Sequence, residues 1–246
     1  MEPAEYDYMF LLEDSFWWYT GMRRIVYSML RREIGNAGAP LRVLDAGCGT
    51  GGSLRLLERF GQVSAFDFSA RAAGMFATRQ RGRILVASAD AIPFADESFD
   101  LVTSFDVISQ MGAPADRVAL REMARVLKPG GLLAVRTPAF QSLYGPHDAT
   151  LHTKHRYSTR ELSRKVEEAG LALRQTTYAN TFLFPIALVR RLLARIRPGR
   201  GDESDVRPVP GPLNLALTAV LDIEAAVIKR TRLPFGLSAI VVARKI

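Results

Sequence analysis

A single cysteine, Cys48, is the only thiol in this 246-residue chain. An internal disulfide is therefore excluded, and a reducing, cytoplasmic setting is expected. The acidic opening Met1-Glu2-Pro3-Ala4-Glu5 lacks the basic and apolar regions of a secretion signal. No uninterrupted apolar run reaches the roughly 18 residues of a spanning helix. The nearest approach, Phe182 to Leu193, is broken by Arg190 and Arg191. Acidic residues are the minority among the charges, 25 against 33 Lys and Arg, so the formal charge is +8. That balance suits an anionic partner: nucleic acid, a membrane surface or a phosphorylated substrate. Many of the arginines fall between Arg190 and Arg232, which points to a local patch rather than a uniformly basic shell.

An apolar fraction of 48 % is enough for a large core and argues against general disorder. Short apolar runs alternate with helical patterns. Arg42–Asp45, Val63–Asp67, Ile84–Val86, Leu101–Phe105 and Leu132–Val135 read as five strands. A helix is expected after the glycine cluster, with Leu54, Leu57 and Phe60 at helical spacing. Another runs over Ala70–Arg79, capped by Ser69, and a third starts at Pro114 and buries Leu120, Met123, Ala124 and Leu127. Lys128-Pro129-Gly130-Gly131 reads as a tight turn. This alternation predicts an α/β fold with a mostly parallel sheet covered on both faces. Ser158-Thr159-Arg160-Glu161 is a capping box, and its helix should end at Gly170. Leu171–Tyr178 and Ser238–Ala243 complete seven strands. Between them, a helix over Thr181–Arg197, a charged Gly/Pro loop over Pro198–Pro212 and a helix from Leu213 to about Arg230 form a helical insertion.

The segment Val43-Leu44-Asp45-Ala46-Gly47-Cys48-Gly49-Thr50-Gly51-Gly52 joins the first strand to a helix. Glycines there let the backbone turn sharply and approach a ligand. Gly47, Gly49 and Gly52 also satisfy the dinucleotide pattern G-x-G-x-x-G, so this loop alone does not separate nicotinamide from adenosylmethionine chemistry. Asp67 ends the second strand, where a carboxylate accepts hydrogen bonds from a ribose diol. Asp90 follows the third strand and could take an adenine amino group. Each aspartate alone reads equally well as a surface acid or a cap. Three acids at the carboxyl ends of successive strands form a ligand rim.

These segments, together with Asp90-Ala91-Ile92-Pro93-Phe94-Ala95-Asp96-Glu97-Ser98-Phe99-Asp100 and Arg125-Val126-Leu127-Lys128-Pro129-Gly130-Gly131, resemble the core of class I S-adenosylmethionine-dependent methyltransferases over about residues 40 to 140. The resemblance implies a Rossmann-like sheet whose seventh strand, Ala239–Arg244, is antiparallel. It implies S-adenosylmethionine as cofactor, with Asp45, Gly47 and Gly49 on its methionine part, Asp67 on the ribose, Phe68 packed on the adenine, and Asp90 with Ala91 reading the adenine edge. Phe105 would line the cofactor. Ser109-Gln110 stands where many relatives have Glu-His, so an acid–base role there is not available. The Asn-Pro-Pro-aromatic signature of base methylases is missing after Phe105, which makes nucleic acid an unlikely acceptor despite the charge.

Phe16-Trp17-Trp18-Tyr19-Thr20-Gly21-Met22-Arg23-Arg24 resembles the aromatic-arginine leader of one bacterial group within this family. It reads as a lid over the cofactor, within an N-terminal helical unit of residues 1–40, or as a helix packed on the core. In the lid reading Trp18 or Tyr19 faces the sulfonium and Arg23 meets the cofactor carboxylate. Asp148, His152, Arg156 and Tyr157 match an Asp-x-x-x-His-x-x-x-Arg-Tyr element of the same group. His152, then His147, are the candidate bases, with Tyr157 as a further catalytic candidate. His147, His152 and His155 follow no standard zinc spacing, so no metal is expected. A core of 41–180 and 236–246 with an insertion over 181–235 is the expected organisation. The expected activity is methyl transfer to a small-molecule or lipid-linked acceptor, most readily at oxygen. The basic 181–197 helix would touch the inner face of a membrane, or else pack on the core with its arginines in solvent. A non-catalytic cofactor-binding protein, an RNA methylase and a nicotinamide oxidoreductase are the competing readings. The sequence leaves the oligomeric state open.

Overall fold

Seven strands assemble in the order β3-β2-β1-β4-β5-β7-β6. They are β1 (Leu41–Ala46), β2 (Gly61–Asp67), β3 (Leu85–Val86), β4 (Phe99–Phe105), β5 (Leu127–Pro138), β6 (Leu171–Ala179) and β7 (Ser238–Lys245). The computed structural model describes residues 1–35, 38–79, 84–189 and 208–246. The pairs from β3 to β5 are parallel, and β7 runs antiparallel to both β5 and β6. The parallel strands are those the alternating pattern predicts, and the antiparallel last strand is the one the resemblance implies.

Side chains alternate across the sheet, as a pleat requires. Val43, Leu101, Ala134 and Val242 join one core, and Leu44, Val102, Leu133 and Val241 join the other. The first core lies under α2 (Trp17–Ile34), whose Met22, Ile25, Val26, Met29 and Leu30 form a buried helical stripe. The second lies under α6 (Ala115–Val126) and α8 (Thr159–Glu168). Ser158 accepts the Glu161 N–H at 3.1 Å, as the capping box predicts. Ser69 takes the Ala72 N–H at 3.3 Å at the start of α4 (Ala70–Arg79).

Two local expectations are corrected. The helix after the glycine loop is a single turn, α3 (Leu54–Leu57). Phe60 is still buried, but it reaches the core from the turn that leads into β2. Residues 128–131 form a bulge inside β5 rather than a free turn. Phe99 faces Leu127 and Leu101 faces Leu132, so the extra residues on β5 loop out, with Gly130 at φ +78°.

Within the insertion, residues 184–189 are helical and 190–207 lie outside the described residues, so the expected Thr181–Arg197 helix is seen only in its first half. The second helix, α9 (Gly211–Ile228), is long and apolar enough by composition to cross a membrane, with a mean hydropathy of 1.5. One face of it packs on α2, and Leu213, Leu215 and Ile223 stay exposed. Leu221, Ala225 and Ile228 are buried, and a Cβ on Gly21 would come within 2.4 Å of Leu221. Its two acids are engaged as well. Asp222 pairs with Arg24 at 2.6 Å, and buried Glu224 accepts backbone N–H groups from Asn180, Thr181 and Phe182.

Candidate active site

The parallel register sets Asp45 beside Ala65 on one side and Thr103 on the other, so the carboxyl ends of β2, β1 and β4 form one rim. Asp45 is buried and accepts the Thr103 hydroxyl at 2.7 Å. Burial pushes its carboxyl up to about 7; the Thr103 bond opposes the shift and the nearby Asp67 adds to it. Beyond Asp45 the chain reverses, and the N–H groups of Gly47 and Cys48 both donate to the Phe66 carbonyl at 2.9 and 3.0 Å. The bend requires positive φ at Gly47 (+85°) and Gly49 (+55°). A Cβ at Gly47 would lie 2.2 Å from the Val107 side chain.

Asp67 fixes the bend from the neighbouring strand. Its Oδ2 accepts the Gly49 N–H at 2.8 Å and its Oδ1 the Ser69 N–H at 2.9 Å. Burial still raises its pKa above the ordinary carboxylate value. Phe68, next in sequence, is 79 % exposed. Asp90 and Ala91 are exposed in the loop after β3. That loop is tied to α6 by Arg125, which donates to the Ile92 carbonyl (3.0 Å), the Phe94 carbonyl (2.9 Å) and Asp96 (2.6 Å). Glu122 accepts the Ile92 N–H at 2.9 Å. The separated Asp90–Asp100 and Arg125–Gly131 segments are thus two sides of one clamp.

The N-terminal helix α1 (Pro3–Leu12) lies across this rim. Met9 stands over Gly49, where a Cβ would come within 2.7 Å of its methyl group. Glu13, just after α1, accepts the Thr50 hydroxyl at 2.6 Å and the Gly52 N–H at 3.0 Å. Arg23 donates to the Glu13 carbonyl and comes close to Gly52. Trp18 reaches the rim from α2, but its ring faces the Arg136 guanidinium at 5.0 Å. Phe105 lies 5.2 Å from the same guanidinium, which also pairs with Asp106. Half-buried Tyr19 has its pKa raised by desolvation, with Glu13 and Glu5 adding to the effect.

The histidines diverge. His152 is exposed at φ +55°; its Nδ1 lies 2.9 Å from the N-terminal amino group and its Nε2 3.0 Å from Glu2. His155 Nε2 lies 3.0 Å from Glu161. His147 is half-buried on α7 (Pro146–Thr150). Asp148 and Arg156 form a buried pair at 2.7 Å that braces the loop. The loop lies beside α5 (Ile108–Met111), where the Ser109 carbonyl accepts the Lys154 and His155 N–H groups.

Tyr157 is not with them. It is fully buried in the core, where its hydroxyl donates to Asp116 at 2.7 Å and Lys165 donates to the same oxygen at 2.5 Å. Its place in the sequence element is filled, but the side chain turns into the protein. The structure therefore gathers Asp45, Gly47, Gly49, Asp67, Arg23 and Phe105, with Trp18 joined through Arg136. It puts His152 at the edge of α1 and Tyr157 in the core. Three residues escaped the sequence reading. Glu13 and Thr103 belong to no spacing pattern. Arg136, a charge near the end of an otherwise apolar strand, was a signal in plain view.

A methyltransferase domain model matches residues 44–135, the stretch that carries the bend, Asp67, Asp90 and β5. Over that stretch the chain matches the class I S-adenosylmethionine-dependent methyltransferase core. The chain is 36 % identical over 150 residues to a malonyl-[acyl-carrier protein] O-methyltransferase of Enterobacter lignolyticus (strain SCF1), covering 59 % of each. It is 42 % identical over 99 residues to a demethylmenaquinone methyltransferase of Renibacterium salmoninarum, covering 38 % of this chain and 40 % of that protein. The chain thus spans about half the length of these curated relatives. The crystal structure of the [4+2]-cyclase SpnF superposes with a TM-score of 0.57 at 22 % identity, over 90 % of this chain and 80 % of that one. That likeness concerns the fold alone.

Proposed function

We propose that this protein transfers a methyl group from S-adenosylmethionine to a small-molecule or lipid-linked acceptor, at oxygen. The observation that carries this reading is the joined rim: Asp67 holding the Gly49 N–H, with buried Asp45 beneath the same bend. The donor set fits the cofactor. Acids and aromatic faces suit a ligand with an ammonium, a sulfonium and a ribose diol, and Asp45 and Asp67 with Trp18 and Phe105 supply them at the rim. When bound, the cofactor supplies an electrophilic methyl group.

The chain's own residues supply the rest. Asp67 would hold the ribose, Phe68 would cover the adenine, and Asp90 with Ala91 would read its edge. Asp45, Gly47 and Gly49 would take the methionine part, Arg23 its carboxylate, and Phe105 and Trp18 would flank the sulfonium. Residues 1–40 act as the lid, a role supported by α1 and Glu13 already lying on the glycine bend. The lid excludes water from the reacting atoms. For a hydroxyl acceptor, His152 takes the proton once it is freed from Glu2, with His147 as the alternative base. A carboxylate acceptor needs no base. Oxygen as target is supported by the O-methyltransferase relative. Contact with a membrane surface, proposed to be the inner face, is supported by the exposure of Phe182, Ile186 and Val189 at the start of the insertion.

The test incubates the protein with methyl-labelled S-adenosylmethionine and cell extract, then follows the label. Label in the lipid or small-molecule fraction, lost in Asp67→Ala together with cofactor binding by calorimetry, is the expected result; base releases it from a methylated carboxylate and not from a methylated hydroxyl. Label confined to RNA, or cofactor affinity unchanged in Asp67→Ala, would overturn the reading.

A further inference from the structure

A strongly cationic concavity lies away from the rim. A cavity of about 150 Å³ opens on the outer edge of the sheet, between the C-terminal turns of α2 and α9 and the middle of β6. Arg32, Arg174, Arg230 and Arg232 stand around it, with Thr176 and Thr177 among its lining. By volume it exceeds the space of one ordered water roughly tenfold. Its position on β6 sets it three strands from β4, beyond β5 and β7, so it is no part of the cofactor rim.

A bland explanation accounts for part of this charge. Cations gather at a helix C-terminus because its last carbonyls are unpaired. Arg32 does this, donating to the Lys229 carbonyl at 2.9 Å. Arg174 is engaged by Glu33 at 3.1 Å. Burial alone would raise the Glu33 pKa, but hydrogen bonds from Gln175 and Arg174 outweigh it and keep the carboxyl ionised. Arg230 and Arg232 are left over. Their guanidinium groups have no hydrogen-bond or ion-pair partner among the described residues. Four guanidinium groups against one carboxylate leave a large local excess of positive charge at a concave, hydroxyl-lined place. Guanidinium forks match the tetrahedral oxygens of phosphate, which they bind in pairs.

We propose that this cavity binds a phosphate group, with Arg230 and Arg232 as its main donors. The phosphate belongs to a soluble phosphorylated compound or to a lipid headgroup. Leu215 and Ile223, exposed on the same helix that ends at these arginines, would lie beside the second source. The site stands independently of methyl transfer, because S-adenosylmethionine carries no phosphate.

The experiment uses the full chain and the variant R230Q/R232Q. Both positions are exposed, so the variant keeps the fold, which circular dichroism and thermal melting verify. Calorimetry with pyrophosphate at low salt should show binding that the variant weakens by about tenfold or more. Sedimentation with phosphatidylcholine vesicles, with and without phosphatidic acid, separates the sources. Variant-sensitive pelleting only with phosphatidic acid assigns a lipid headgroup, and pyrophosphate binding without pelleting assigns a soluble ligand. Absence of both pyrophosphate and phosphatidic-acid binding in the wild type, or binding equal in the variant and the wild type, overturns the proposal. Methylation of the acceptor plays no part in either readout.

Discussion

Thr50 donates its hydroxyl to Glu13 at 2.6 Å, and both residues are buried. The bond joins the segment after α1 to the glycine bend, with Gly52 N–H on the second carboxylate oxygen. Glu13→Ala leaves a buried hydroxyl and a half-buried N–H without this partner, which costs about 1 to 3 kcal/mol. Urea denaturation should show that loss. Hydrogen exchange should show residues 1–16 opening more than the sheet. Protection of that segment equal to wild type would mean that α1 is held by other contacts.

Asp45 carries a signature in pH. Its folded pKa of about 7 stands above its ordinary 3.8. Below 3.8 the carboxyl is protonated in both folded and unfolded chains, and the folded state keeps its full stability. Between the two values the unfolded chain gives up its proton first, so stability falls as pH rises, and it levels off above about 7. Asp45→Asn should remove that fall, seen as a melting temperature that declines less than wild type from pH 4 to 7. If ionised Asp45 meets the cationic end of the cofactor, wild-type affinity should also rise through pH 7 and the variant's should not. Calorimetry at pH 6 and 8 decides it.

His152 holds the N-terminal amino group and Glu2 at once. As the acceptor's base it should matter to turnover and little to cofactor binding. His152→Ala is expected to lower turnover by about 10²-fold or more with unchanged cofactor affinity. Glu2→Ala, which frees the ring, should keep full activity. Wild-type turnover in His152→Ala would reduce the residue to a tether for α1.

Tyr157, Asp116 and Lys165 act in the core instead. Tyr157→Phe should cost about 1 kcal/mol in stability and leave turnover intact. Asp116→Ala strands the Lys165 ammonium in a buried place and should cost about 3 to 5 kcal/mol. Equilibrium unfolding of the two variants measures the ratio. A turnover defect in Tyr157→Phe without a stability change would return the hydroxyl to the chemistry.

The sheet was legible because each buried strand is a short apolar run punctuated by Gly, Pro or an acid, and the order of motifs fixed which carboxyl ends meet. Asp45, Gly49 and Asp67 could be read for that reason: each occupies a place that topology alone brings together. Tyr157 could not be read, because the spacing of Asp148, Arg156 and Tyr157 says nothing about which way a side chain turns once Arg156 pairs with Asp148. Glu13 was hidden for the opposite reason, since its partner Thr50 is distant in sequence and no local pattern announces it. The bulge at residues 128–131 was read as a turn because Pro and Gly mark a chain reversal and a looped-out strand alike.

The place of β7 between β5 and β6 has a consequence for synthesis. A nascent chain that has just emitted β6 offers it nothing to pair with, because its only neighbour is still some sixty residues from leaving the ribosome. Until then the free edge of β5 is bare, an apolar template open to other chains. Slow translation or truncation before Ser238 should therefore show up first as aggregation, ahead of any loss that could be traced to the catalytic rim.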